Sequence, residues 1–161
     1  MSYRILYIIL FISSSLNAQD CDSIPAINST IVEFAKSKVN TTIARGECWD
    51  LIKYALDDAN AEWDGFENFG SVVNEKKDCL FPGDVIQFTK IKIKYKDGEF
   101  TYTESMYHHT AIILEVSNDN NDLVILHQNS AQHGKKVGVG NFKLDTIIAG
   151  ELTFYRPIPS D

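Results

Sequence analysis

The chain has 161 residues, 44% of them hydrophobic and 23% charged, and a formal net charge of −7. That length and composition suit one globular domain with a core of its own. The acidic balance excludes nucleic acid and anionic membrane as electrostatic partners, but leaves room for a polymer held in a local groove.

At the N-terminus, Arg4 precedes the apolar run Ile5-Leu6-Tyr7-Ile8-Ile9-Leu10-Phe11-Ile12, and Ser13-Ser14-Ser15 and Leu16-Asn17-Ala18 follow. A basic start, a short apolar centre and small residues predict a signal peptide over residues 1–18, with 19–161 as a single domain. The run is too short for an ordinary spanning helix. Ala18-Gln19-Asp20 before Cys21 does not match a lipoprotein cleavage box. The expectation is a soluble secreted protein, extracellular or periplasmic, without a membrane partner once the signal is removed. Losing the signal removes Arg4 and no acid, so the mature chain is more acidic still.

Ala26 to Val39 has helical spacing, with Ile27, Ile31, Phe34, Ala35 and Val39 near one face. Asn28-Ser29-Thr30 and Asn40-Thr41-Thr42 fit the glycosylation sequon. A second helix is predicted from Cys48 to about Ala61, its buried face made by Leu51, Ile52, Ala55, Leu56 and Ala59. Trp63 to Ser71 reads as a loop whose Trp63, Phe66 and Phe69 either line a cleft or pack as ordinary core. Phe81-Pro82-Gly83-Asp84 is a turn. A strand starts at Val85 and reaches towards Tyr95, Lys96-Asp97-Gly98-Glu99 is a hairpin signal, and Phe100 to Thr103 returns. His109 to Val116 and Leu123 to Gln128 are paired strands across an Asn-rich turn. Val137 to Phe142 and Glu151 to Tyr155 complete five or six strands. Helices first and strands after indicate an α+β domain with its helices packed on an antiparallel sheet.

Three cysteines are present: Cys21, Cys48 and Cys79. Export permits a disulfide, and an odd count leaves a free thiol in a monomer. The simplest partition pairs Cys21 with Cys79. The alternatives are Cys48 in a structural bridge, or no bridge. Without a CxxC or a close Cys/His cluster, a structural zinc site is not expected.

Cys48 stands where a loop, Arg45-Gly46-Glu47, gives way to a helix. The first turn of a helix presents unpaired N–H groups and the positive end of the helix dipole. Both favour a thiolate, the nucleophilic form of cysteine. The competing reading is a small buried residue under a helix cap. A cysteine nucleophile needs a base within reach, and the base needs a third group to orient it. His108-His109 opens the strand Thr110-Ala111-Ile112-Ile113-Leu114. Alternation lets only one of the two face the helix. His109 shares its face with Ala111 and Ile113, and a small Ala111 would let the Cys48 helix approach. His109 is therefore the expected base, and His108 a flanking or solvent-facing residue. On the next strand Leu123, Ile125, His127 and Asn129 share a face, so His127 or Asn129 can lie beside His109 and fix its tautomer. The same His-Gln-Asn run also reads as a strand leaving the core.

Gly46-Glu47-Cys48-Trp49-Asp50-Leu51, Phe81-Pro82-Gly83-Asp84-Val85-Ile86, His109-Thr110-Ala111-Ile112-Ile113 and His127-Gln128-Asn129 together resemble the NlpC-type and CHAP (cysteine–histidine amidohydrolase/peptidase) branches of the papain-like superfamily. The resemblance covers about residues 46 to 157. It implies a compact papain-like α+β fold, Cys48 as nucleophile, His109 as base and His127 or Asn129 as the third residue. It also implies amide or peptide bonds, chiefly of peptidoglycan, as substrates, and no metal or organic cofactor. Trp49 stands where NlpC-type enzymes carry Ser or Thr, a departure at the substrate pocket. No cell-wall-binding module is recognisable. The expected protein is a monomeric secreted cysteine peptidase or amidase. The alternatives are a non-catalytic secreted binding domain on the same fold, and a structural domain with Cys48 in a disulfide.

Overall fold

The computed structural model describes residue 21, residues 23–117 and residues 119–160. The signal peptide expected over residues 1–18 lies outside the described residues. Two helices come first, α1 (Ala26–Ser37) and α2 (Cys48–Asp58). The strands follow: β1 (Ala61–Glu62), β2 (Ser71–Val73), β3 (Val85–Asp97), β4 (Phe100–Val116), β5 (Asp122–His127), β6 (Gly138–Lys143), β7 (Ile147–Arg156) and β8 (Ile158–Pro159). Six form one antiparallel sheet in the order β2-β7-β3-β4-β5-β6, and β1 pairs with β8. This is the α+β arrangement expected, with three short strands added, β1, β2 and β8.

Helix α2 ends at Asp58, short of the expected Ala61. Asn60 takes a left-handed φ of 50° and turns the chain into β1, a conformation that Asn tolerates better than most residues. Strand β4 is continuous over 17 residues, although Glu104 to Tyr107 gives no strand signal in the sequence. Its pairing with β3 runs unbroken in register from Val85↔Ile112 to Asp97↔Phe100, closing in a two-residue turn at Gly98-Glu99. The pairing of β3 to β7 stops at Ile93↔Ile147, so the outer β3–β4 ribbon is held by its own ladder alone.

Successive residues along the central strands serve two cores, as strand alternation requires. Val85, Ile112 and Leu126 pack with Ile31, Ala35, Leu51, Ile52, Ala55, Leu56 and Phe69 under the helices. Ile86, Phe88, Ala111, Ile113 and Ile125 pack on the opposite face with Val73, Phe142 and Phe154. All six strands of the main sheet contribute to this second cluster, so the sheet curls around it. Phe88 meets Phe142 edge-on at 5.1 Å. Each large aliphatic side chain fully buried here contributes about 1.5–3 kcal/mol.

The Pro82-Gly83-Asp84 turn is a hub. The Asp84 carboxylate, 0% exposed, accepts from Asn28 Nδ2 (2.9 Å), the Phe81 N–H (2.9 Å), and Arg156 Nε (3.1 Å) and Nη2 (2.8 Å). Gly83, at φ 89°, lies so close to α1 that a Cβ would stand 2.4 Å from the Asn28 carbonyl oxygen. Asn28 is itself buried, so it is not a glycan acceptor in the folded domain, contrary to its sequon. Cys21 and Cys79 form a disulfide and Cys48 is free. That removes the reading in which Cys48 is a structural bridge.

Candidate active site

Cys48 is the first residue of α2 and is half-buried. Glu47 and Asp50 form a reciprocal capping box at this end. The Asp50 carboxylate accepts from the N–H groups of Glu47 (3.1 Å) and Arg45 (3.0 Å), which fixes the turn before the cysteine. Gly46 takes a φ of 81°, and a Cβ there would meet the Lys135 side chain at 2.8 Å. Only glycine suits both conditions.

This turn is held to the end of β5 by two consecutive residues. Gln128 is 0% exposed. Its Oε1 accepts from the Ile43 N–H (2.8 Å), and its Nε2 donates to the carbonyls of Glu47 (2.8 Å) and Ile43 (3.2 Å). Asn129, at a left-handed φ of 62°, donates from Nδ2 to Glu47 Oε2 (2.8 Å). Lys135 Nζ adds a bond to the Arg45 carbonyl at 3.1 Å. Asn129 therefore contacts the segment before Cys48, and not the histidines.

His127, one residue before Gln128, points the other way. Its Nδ1 lies 3.1 Å from His109 Nε2, with the rings 5.3 Å apart and nearly perpendicular. One of the two nitrogens carries the shared proton. The structure thus brings His109 and His127 together as the sequence suggests. Burial, with repulsion from His127 and His108 behind it, holds the pKa of His109 down at about 4. Burial and then His133 hold His127 at about 4. Both rings are neutral at pH 7. His127 Nε2 has no hydrogen-bond partner among the described residues. Gly140 leaves it room: a Cβ there would stand 3.1 Å away. His108 is partly exposed and faces Glu67, Nε2 to Oε1 3.4 Å, consistent with a flanking role.

One expectation fails. Ala111 and Ile113 pack in the second cluster, away from α2, while Ile112 packs under it. Ala111 therefore does not admit the helix. His109 leans on Phe88, with ring centroids at 5.8 Å, on the Ala111 side. Cys48 and His109 are not hydrogen-bonded to each other. They are linked through neighbours: His127 to His109, Gln128 and Asn129 to the turn that carries Cys48.

Trp49 is anchored sideways. Its Nε1–H donates to the Phe66 carbonyl at 2.7 Å, and its ring lies 5.8 Å from Trp63, which stacks on buried Phe69. Trp63 and Phe69 are thus packing residues, whereas Phe66 is 68% exposed. Gln128 is the residue that sequence reasoning missed. Its signal was a polar side chain on the core-facing side of a strand end, between two candidate site residues.

The model of the AIM3/BBC1 cysteine proteinase-fold domain matches residues 25–161. The chain belongs to this family. As an AIM3/BBC1-type domain it has a papain-like cysteine proteinase fold. It is 28% identical over 148 residues to "Altered inheritance of mitochondria protein 3" of the yeast Debaryomyces hansenii; the match covers 81% of this chain and 16% of the yeast protein. Among solved structures it is similar to the crystal structure of Ly7917 (TM-score 0.49, 11% identity, 80% of this chain and 62% of that one). It is likewise similar to Ly7917 with the hydrolyzing product of MDP (TM-score 0.48, 12% identity, 81% of this chain and 62% of that one).

Proposed function

We propose that this AIM3/BBC1-type domain is a cysteine hydrolase that cleaves amide or peptide bonds by acyl transfer. Cys48 is the nucleophile, His109 the base and His127 the residue that orients it. Asn129 and Gln128 are positioning residues for the turn before Cys48. The observation that carries this reading is the run His127-Gln128-Asn129, which grips the proposed base on one side and the nucleophile's turn on the other.

The chemistry follows from the tautomer. For His109 to accept a proton at Nδ1, its Nε2–H donates to His127 Nδ1, and His127 carries its own proton on Nε2. His109 Nδ1 takes the Cys48 proton as the sulfur attacks the carbonyl carbon. The negative charge that develops on the carbonyl oxygen is met by unpaired N–H groups at the start of α2. The C–N bond then breaks, the leaving amine takes the proton from His109, and water hydrolyses the thioester. Catalytic hydrogen bonds often tighten only in the substrate complex, and this reading requires the Cys48 thiol and His109 Nδ1 to meet there.

The proposal extends to an exported protein cleaved after residue 18 and to a peptidoglycan-type substrate. The N-terminal pattern and the resemblance to NlpC-type and CHAP enzymes support these. One observation favours the rival reading, a non-catalytic binding domain: a pKa of about 4 makes His109 a weak base near neutral pH. Incubation of the wild type and C48A with purified peptidoglycan and with simple amides separates the two. Loss of product release in C48A by a factor of at least about 10³ is expected for a covalent nucleophile. Equal release by both proteins removes the catalytic claim.

A further inference from the structure

Residues 63–70 connect β1 to β2 and form a loop with its own internal framework. Asp64 Oδ1 accepts from the N–H groups of Phe66 (2.7 Å) and Asn68 (3.0 Å), and the Asp64 N–H donates to the Asn68 carbonyl (3.3 Å). The loop is then fastened at two outside points. The Trp49 indole N–H holds the Phe66 carbonyl at 2.7 Å. Glu67 lies 3.4 Å from His108. Trp49 follows Cys48 in the chain and His108 precedes His109. The loop therefore spans the two segments that carry the proposed nucleophile and base.

Its aromatic residues divide sharply. Phe69 is wholly buried, and Trp63 is packed between Trp49 and Phe69. Phe66 is 68% exposed. A single exposed Phe is ordinary. Here, however, three hydrogen bonds fix the backbone that carries it, at the N–H and C=O of Phe66 itself and at the residue two further on. The ring is presented from a rigid mount next to the residue that follows Cys48. An apolar group on a preorganised backbone binds at a reduced ordering cost.

We propose that Phe66, with the half-buried Trp49 ring behind its loop, forms an apolar subsite beside Cys48 that receives an aliphatic or aromatic side chain of the substrate next to the bond attacked. This rests on the reading of Cys48 as the nucleophile. The subsite discriminates between substrates by contact with apolar atoms, and such contacts are worth about 10- to 200-fold in rate per group.

The test uses two thiol reagents of different shape, iodoacetamide and N-benzyl-iodoacetamide. Alkylation of Cys48 in the native protein is followed by intact mass for wild type, F66A and F66L. The wild type is expected to favour the benzyl reagent. The ratio of the two rates is expected to fall about tenfold in F66A and to be largely retained in F66L. A ratio identical in wild type and F66A overturns the subsite, including the case in which both rates fall together because the loop is disturbed. No alkylation by either reagent also overturns it, since the subsite requires Cys48 to open onto it. Should the ratio behave as expected while no amide is hydrolysed, the subsite stands and the hydrolase reading fails.

Discussion

Burial deprives the Gln128 amide of water, so each of its polar atoms must find a partner in the chain. It finds them in the Ile43 and Glu47 backbone. A glutamine can both donate and accept at this place; neither a methionine nor a glutamate can do both. Gln128→Met keeps the volume and strands the buried Ile43 N–H, while the Ile43 and Glu47 carbonyls keep the N–H groups of Gly46 and Asp50. The expected loss is about 1–3 kcal/mol in unfolding free energy, from one unsatisfied group. Because the freed turn carries Cys48, amide hydrolysis is expected to fall further than the unfolded fraction explains. Urea titration beside the rate at a fully folding urea-free condition checks this. A variant as stable and as active as the wild type would show that the turn holds itself.

The elements differ in how much of them the sequence betrays. The α2 start is legible because Gly46, Glu47 and Asp50 are the residues that such a turn and cap require. The β3–β4 turn is legible in Asp97-Gly98. Strand β2 is not: Ser71-Val72-Val73 is three residues long, and its partner residues Phe154 to Arg156 lie far along the chain. That His109 shares the face of Ala111 follows from alternation, but the expectation that this face meets α2 fails, since α2 covers the Ile112 side. Thr110-Ala111-Ile112-Ile113-Leu114 is apolar towards both sides, as strands buried on two faces are, and a period of two says nothing about which side the helices choose. The pairing His109–His127 was within reach because it follows from antiparallel neighbours. The role of Asn129 was not, because it depends on a left-handed turn after β5. The outer β3–β4 ribbon shows the opposite case, a long element with little to hold it. Beyond Ile93 its strands pair only with each other, and two strands alone are marginal in water. Amide exchange by mass spectrometry is expected to be faster over residues 94–103 than over 85–88 and 110–113 by at least about 10²-fold. Equal protection would mean that the ribbon is covered by another surface.

For the molecule as a whole, the buried His109 and the half-buried His127 tie stability to pH. Folded His109 and His127 have pKa values pressed down to about 4, by burial first and then by neighbouring His127, His108 and His133. The unfolded chain releases them to the ordinary value of 6.5. Below that value the unfolded state takes up protons that the folded state refuses. Their contribution is therefore complete above pH 6.5, declines as the pH falls towards 4 and levels off below it. A single histidine displaced this far is worth on the order of 3 kcal/mol. The urea midpoint of the wild type is expected to drop between pH 7 and 4.5, and that of H127Q, which keeps an amide beside His109 without a titrating ring, to drop by clearly less. The same pH dependence in both would place the acid sensitivity elsewhere.

The hub at Asp84 sets the order in which the molecule can be completed during synthesis. Strand β7 enters the sheet between β2 and β3, and its last residue, Arg156, supplies the positive charge on the wholly buried Asp84 carboxylate. Until the ribosome has released Arg156, the emerging chain holds an open β3 edge and a carboxylate with no counter-charge, an arrangement several kcal/mol out of balance. The helix that bears Cys48 is made early, but its thiol waits until Arg156 has emerged before it has a finished sheet behind it.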